Sequence, residues 1–296
     1  MKRADRAAVW FVLPSLFLVA VFSIYPIFDS VRLGFYRMIL MLPWLGEKFV
    51  GLENYADLAT DSVALESLAV TLLFVGVSAT LEVLVGAGMA LLLNESFRGR
   101  GLVRAAVLVP WAIPTVVSSQ MWRYIFNDRY GLFNFLVFGR DTSRYIAPLA
   151  EPWLARAAII FADVWKTSSF AALIILAGLQ TIPDELYEAA EVDGAGAWQK
   201  LRRITLPLLK PALLLALLFR TIDAFKVFDL VFVMTQGGPA DATNVLQFYG
   251  YKKIFAEGMI GYGSAISVGV FLISLALALL YIRLIGARVL EPGAAG

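Results

Sequence analysis

The chain has 296 residues, 60% of them hydrophobic and only 16% charged, with a formal net charge of +2. Soluble domains carry about a quarter charged residues, so the composition points to lipid-facing segments, and no Lys/Arg stripe of the kind a nucleic-acid binder needs is present. The absence of Cys and His excludes disulfides, thiolate chemistry, the commonest general base and the usual zinc and haem ligands, and no GxxxxGK(S/T) P-loop occurs.

The apolar residues come in long blocks, each near the roughly 20 residues that a helix needs to cross the hydrocarbon. Six blocks predict an all-α polytopic membrane protein, a single transmembrane domain over residues 1–296, with spans at 8–28, 68–93, 103–126, 154–179, 211–234 and 262–284. Lys2, Arg3 and Arg6 precede the first span as in a signal peptide. The run is too long for a signal h-region and no small-residue cleavage site follows, so an uncleaved span is expected.

The second span contains a lone acid, Glu82, expected to pair with a cation of the fourth or fifth span or with a partner chain, its role being open. The third is read as one continuous helix. The fourth carries Asp163, Lys166, Thr167 and Phe170, whose i, i+3, i+4, i+7 spacing puts them on one helical face.

The loop at residues 183–210 is ordered by its own sequence. Thr181 and Asp184 have capping-box spacing and Pro183 suits a first turn. Acidic Asp184, Glu185, Glu188, Glu191 and Asp193 fill its first half; Lys200, Arg202 and Arg203 fill its second, and both placements complement helix dipoles. Gly194 and Gly196 divide the halves and Pro207 marks a further break. Two short helices with a glycine hinge are expected. From composition alone they are equally a solvated hairpin linking two spans.

The fifth span carries Arg220, Asp223 and Lys226, with Asp229 one turn on; Arg220 and Asp223 share a face. Cations concentrate at the N-terminus, at Arg98, Arg100 and Arg104, at Lys200, Arg202, Arg203 and Lys210, and at Arg283 and Arg288. That bias predicts both termini on the cytoplasmic side of the membrane. Trp10, Tyr25, Trp111, Trp122, Trp153, Tyr262 and Tyr281 fit interfacial belts or plain packing and receive no function.

Within the loop, Glu188-Ala189-Ala190, then Gly194, then Ile204-Thr205-Leu206-Pro207 resembles the full EAA pattern of binding-protein-dependent ABC importer permeases. The resemblance implies a coupling helix that docks on an ATPase subunit, carried here by Glu188, Ala189, Ala190, Asp193, Gly194, Ile204, Leu206 and Pro207. Asp193-Gly194-Ala195, Gly237-Gly238-Pro239 with Thr243, and Gly261-Tyr262-Gly263-Ser264-Ala265 resemble carbohydrate permeases of the maltose type. Tyr25-Pro26 and Gly51-Leu52-Glu53-Asn54-Tyr55 resemble the first of the two permeases such systems use. The maltose permease proper has extra spans and a large external domain, so the likeness is to the shorter six-span permeases of trehalose and maltose importers.

The resemblance implies the partners: a second homologous permease, two copies of a cytoplasmic ABC ATPase, an external solute-binding (lipo)protein, the sugar and membrane lipid. No nucleic acid is expected. It implies no cofactor on this chain and no catalysis by it, ATP and Mg being used by the ATPase subunits. The sugar would be a disaccharide such as trehalose or maltose. A disaccharide needs groups for bidentate hydrogen bonds and an aromatic ring to stack on; Asp163, Lys166, Thr167, Phe170, Arg220 and Asp223 supply both and match the family's sugar-site positions, although that site is mainly amides and aromatics. Asp163–Lys166 and Arg220–Asp223 are equally readable as neutralising pairs that fix helix packing. Another small polar solute, such as a sugar phosphodiester, is the alternative cargo. An intramembrane aspartyl protease built on Asp163 and Asp223 fits poorly, since a proton-sharing dyad should lack private cations. A secondary transporter would show internal repeats, and none is found.

Overall fold

The computed structural model describes residues 3–289, with the side chains of 3–9, 45 and 284–289 left aside. Lys2 lies outside the described residues, as do the side chains of Arg3, Arg6 and Arg288, on which part of the orientation argument rests.

In chain order the helices are α1 (Arg3–Val19), α2 (Tyr25–Gly34), α3 (Glu53–Thr60), α4 (Ser62–Asn94), α5 (Arg100–Ala112), α6 (Thr115–Ile125), α7 (Leu132–Phe138), α8 (Pro152–Leu179), α9 (Glu185–Val192), α10 (Ala197–Lys200), α11 (Leu206–Phe225), α12 (Asp229–Met234), α13 (Leu246–Tyr251) and α14 (Ile260–Val289). Among the described residues five helical runs are long and apolar enough to cross a membrane, or six if the bent pair α5 and α6 is one span. A two-stranded antiparallel ribbon, β1 (Tyr36–Arg37) with β2 (Lys48–Phe49), pairs Tyr36 with Phe49.

Three expectations are corrected here. The third span is not continuous: α5 and α6 meet at 90°. Proline disfavours the helical region for the residue before it, and Ile113, ahead of Pro114, is extended at φ −71°, ψ 130°. The fifth span does not run to residue 234, because α11 ends at Phe225 and α12 is a separate short helix. Nor does Pro207 break the chain. The run Ala197–Phe225 is one helical rod, in which a π turn, Leu201–Thr205, directly precedes the Leu206-Pro207 step. The looser π register accommodates a residue without an N–H. A second π turn, Ala20–Ile24, stands in the same place before Tyr25-Pro26, joining α1 to α2.

The chain divides into two compact units, residues 3–65 with 249–272 and residues 66–248 with 273–289. In the first, Asn54 donates from its amide to the carbonyls of Gly34 and Tyr36, each at 2.9 Å. Gly261 lies so close to the Tyr36 carbonyl that a Cβ there would collide with it. Asp61 caps α4 through the N–H of Val63 at 2.9 Å and accepts the hydroxyls of Tyr249 and Tyr262, both at 2.6 Å. Partial burial works against its charge, but these hydrogen bonds outweigh it and hold the Asp61 carboxyl below its ordinary range. Two stretches that carried the resemblance, Gly51–Tyr55 and Gly261–Ala265, thus hold this unit together.

In the second unit α4, α8 and α11 form the core, where Ala90, Leu93, Ala171, Ile175, Leu176, Leu179, Leu209 and Ala216 pack together. Small residues at these crossings let backbones approach closely, which is how helices gain van der Waals contact when lipid is no less apolar than leucine.

Candidate functional site

A charge at membrane depth must face protein or water. On α11 the Arg220 guanidinium, only 4% exposed, reaches three carboxylates. Its Nε donates to Glu82 Oε2 on α4. Its Nη2 lies 3.7 Å from Asp163 Oδ2 on α8, and its Nη1 donates to Asp223 Oδ2 at 3.3 Å. The exposures form a gradient: Glu82 0%, Asp163 13%, Asp223 59%. Glu82 and Arg220 are a closed inner pair, while Asp223 opens outward. Glu82 Oε1 and Asp163 Oδ2 are buried and accept no hydrogen bond, so the cluster holds acceptor capacity in surplus. Among the described residues no three acids are placed to hold a metal ion.

The sequence leaves Lys166 either at the sugar or paired with Asp163, and of these the structure does not make the ion pair with Asp163. Lys166 Nζ donates to the carbonyls of Trp111 at 3.1 Å and Ile113 at 2.8 Å. Both carbonyls stand at the C-terminal end of α5, where the break removes their helical partners. A cation is also favoured there by the helix dipole. Lys166 therefore satisfies the broken span rather than neutralising its own helix.

Thr167 is buried and its hydroxyl donates to the Asp163 carbonyl at 2.6 Å. Phe170 stacks on Trp111 with centroids 5.7 Å apart and meets Phe219 edge-on at 6.1 Å. The structure thus brings Asp163, Arg220 and Asp223 together, adds Glu82, and commits Lys166 and Thr167 to backbone carbonyls. Trp111 and Phe219 complete an aromatic group around Phe170 that the sequence did not point to. Trp111 reads as a belt residue in the sequence, and although 47% exposed it also stacks on Phe170.

The loop turns at Gly194 as expected, but its second half is the start of the rod Ala197–Phe225 rather than a separate short helix, and its first helix starts differently. Asp184 precedes α9 in helical conformation without a side-chain cap, and Thr181 donates to the Gly178 carbonyl instead. The capping box is therefore not made. Glu188, Ala189 and Ala190 lie on α9 and Asp193 caps its end. Gly194 follows at φ +76°, a left-handed conformation that favours glycine. The halves are tied by Lys200–Glu191 at 2.5 Å and Tyr187–Thr205 at 3.0 Å. Tyr187 and Ile204 pack against the helical core, whereas Glu188, Leu206 and Pro207 are exposed, as are Val192 at 89% and Trp198 at 70%. An exposed apolar surface of this kind, rimmed by acids and bases, is what a protein interface requires.

Residues 82–293 match the family described as binding-protein-dependent transport system inner membrane component. The chain is 42% identical over 281 residues to the trehalose/maltose transport system permease protein MalF of Thermococcus litoralis, covering 95% of this chain and 94% of that one. It is 39% identical over 289 residues to the trehalose transport system permease protein SugA of Mycobacterium tuberculosis, covering 97% and 91%. Its fold matches a chain of the crystal structure of a bacterial ABC transporter involved in the import of the acidic polysaccharide alginate, with a TM-score of 0.82, 21% identity and 96% of each chain covered.

Proposed function

Because the chain belongs to the family of binding-protein-dependent transport system inner membrane components, we propose that it forms about half of a heterodimeric pore that carries a neutral disaccharide such as trehalose or maltose into the cytoplasm. Membership makes it a multi-pass, non-catalytic permease subunit of an ABC importer. The remaining parts of the reading are the cargo, the residues that meet it, the orientation with both termini cytoplasmic, and the full set of partners. These are a second homologous permease, two ATPase subunits that use ATP and Mg, and an external binding protein.

The observation that carries the cargo reading is the surplus of acceptors around Arg220. Three carboxylates converge on one guanidinium. Such a cluster attracts hydroxyl donors and repels a carboxylated, sulfonated or phosphorylated sugar, so a neutral saccharide suits it better than a sugar phosphodiester. Asp223, Asp163 and Phe170 are the side chains we assign to the sugar. Arg220, Lys166 and Thr167 hold them in position. Two of the relatives are named as trehalose/maltose and trehalose permeases, in agreement with that chemistry.

Coupling follows from the rod. Ala197–Phe225 is 29 residues of uninterrupted helix, so displacing Trp198 at its start moves Arg220 through a stiff lever of about 30 Å at 1.5 Å per residue. Closure of the ATPase subunits on ATP would draw the hairpins together through Glu188, Ala189, Ala190, Asp193, Gly194, Ile204, Leu206 and Pro207, and the rod would carry the movement to the charge cluster.

The test is uptake of labelled trehalose by cells expressing the complete importer, competed with a panel of sugars. Neutral disaccharides should compete strongly and uronic or phosphorylated saccharides weakly. Competition by anionic saccharides alone, or by no sugar at all, would overturn the cargo reading.

A further inference from the structure

Between the C-terminal ends of α4 and α8 and the N-terminal half of α5 lies a second feature, apart from the Arg220 cluster. A cavity of about 280 Å³ is walled by Leu93, Val107, Leu108, Leu173, Leu176 and Ala177, and Arg104 and Gln180 bring the side chains able to bind an anion. Ser169 also lines it, but its hydroxyl is already given to the Val107 carbonyl at 2.6 Å.

Arg104 is half-buried and its Nη2 donates to the Leu93 carbonyl, in the last turn of α4, at 3.1 Å. Its Nε is buried without a hydrogen-bond partner. Among the described residues no carboxylate lies within 4.0 Å of it. A guanidinium against apolar walls without a counter-charge is costly, and the contrast with Arg220 and its three carboxylates is direct. The helix dipole of α4 offsets part of that cost; an anion would complete it.

The surroundings identify the kind of anion. The cavity's walls are apolar, and on the same helices Leu92 on α4 and Leu102 and Val109 on α5 are 60%, 78% and 55% exposed. Arg98 and Arg100 stand in the adjoining loop. A basic group at the end of transmembrane helices beside an apolar slot suits a lipid headgroup with its chain attached, whereas a soluble anion would gain nothing from the walls.

We propose that this cavity binds one anionic phospholipid, its phosphate on Arg104 and an acyl chain along Leu173, Leu176 and Ala177. The leaflet would be the cytoplasmic one, which rests on the orientation proposed above; the binding itself does not.

The test uses the assembled importer, extracted in mild detergent from membranes containing phosphatidylglycerol, with bound lipid counted by native mass spectrometry. Arg104→Gln should lower retention of one phosphatidylglycerol by about fivefold, the factor expected for one basic group at a membrane surface. Ala177→Trp, which fills the mouth of the cavity and leaves the guanidinium in place, should lower it equally and decides the matter should Arg104→Gln fail to assemble. Phosphatidylcholine should not replace the lost lipid. Retention unchanged in Ala177→Trp, or unchanged in an assembled Arg104→Gln complex, would overturn the proposal. Displacement of the lipid by millimolar inorganic phosphate would do so as well, since it would mark a site for a free anion.

Discussion

Lys200 and Arg220 are cations on the same helical rod, each paired with an acid from another helix, and the two pairs live in different solvents. Lys200 meets Glu191 at 2.5 Å in the hairpin, with side-chain exposures of 21% and 63%. Arg220 meets Glu82 with exposures of 4% and 0%. In water such a pair contributes little, because screening and side-chain entropy consume the Coulombic gain. In the membrane interior neither ion can be left alone, so removal of one strands the other. One rod therefore has an end whose charges are free to exchange partners and an end whose charges are locked. A coupling surface needs the first property and a positioned binding site needs the second.

The largest effect should come from the locked end. Glu82→Ala should destabilise the assembled complex by about 3 kcal/mol, the lower part of the range for breaking a buried pair, because Asp163 and Asp223 still face Arg220. Thermal unfolding of the purified complex measures this; an unchanged midpoint would mean that the inner pair is not a strut.

A smaller effect is expected at the hinge. Gly194 adopts φ +76° with nothing within 4 Å of a Cβ placed there, so Gly194→Val meets no neighbour and suffers only backbone strain of about 1–2 kcal/mol. The complex should assemble, while its ATPase activity stimulated by sugar-loaded binding protein should fall. Full stimulation would remove the hairpin from the coupling path.

At the free end the smallest change is expected. Lys200→Gln should leave stability, uptake and stimulated ATPase activity near wild type. A marked loss in any of them would show that Lys200–Glu191 is more than a solvated surface pair and erase the contrast with Arg220.

The two ends also differed in how much of them could be read from sequence. The hairpin was legible because its signals are local: acids before Gly194, bases after it, and Glu188-Ala189-Ala190 at fixed spacing from Leu206-Pro207. The apolar runs were legible from length, but not the bend at Pro114 in the third or the end of the fifth at Phe225. Pairings across helices were not. Lys166 sits three residues from Asp163, yet its nearest demand is two carbonyls freed by a proline more than fifty residues earlier. Glu82 and Arg220 are 138 residues apart; the sequence offers Glu82 a cation of the fourth or fifth span or the partner permease, and the structure selects Arg220. Pro207 shows the reverse error. A proline read as a break is absorbed by a π turn, and the rod that links hairpin to cluster appears only in the structure.

The central claim is that Asp223, half out of the cluster, meets the sugar while Glu82 behind it only supports Arg220. Asp223→Asn tests it most directly, with labelled trehalose uptake and thermal stability measured on the same assembled importer. Water can solvate this position, 59% exposed, so the unfolding midpoint should stay at the wild-type value while uptake falls at least about tenfold, the loss of one charge-assisted hydrogen bond. Wild-type uptake, or loss of uptake only in proportion to loss of stability, would contradict the account and place the sugar elsewhere in the pore.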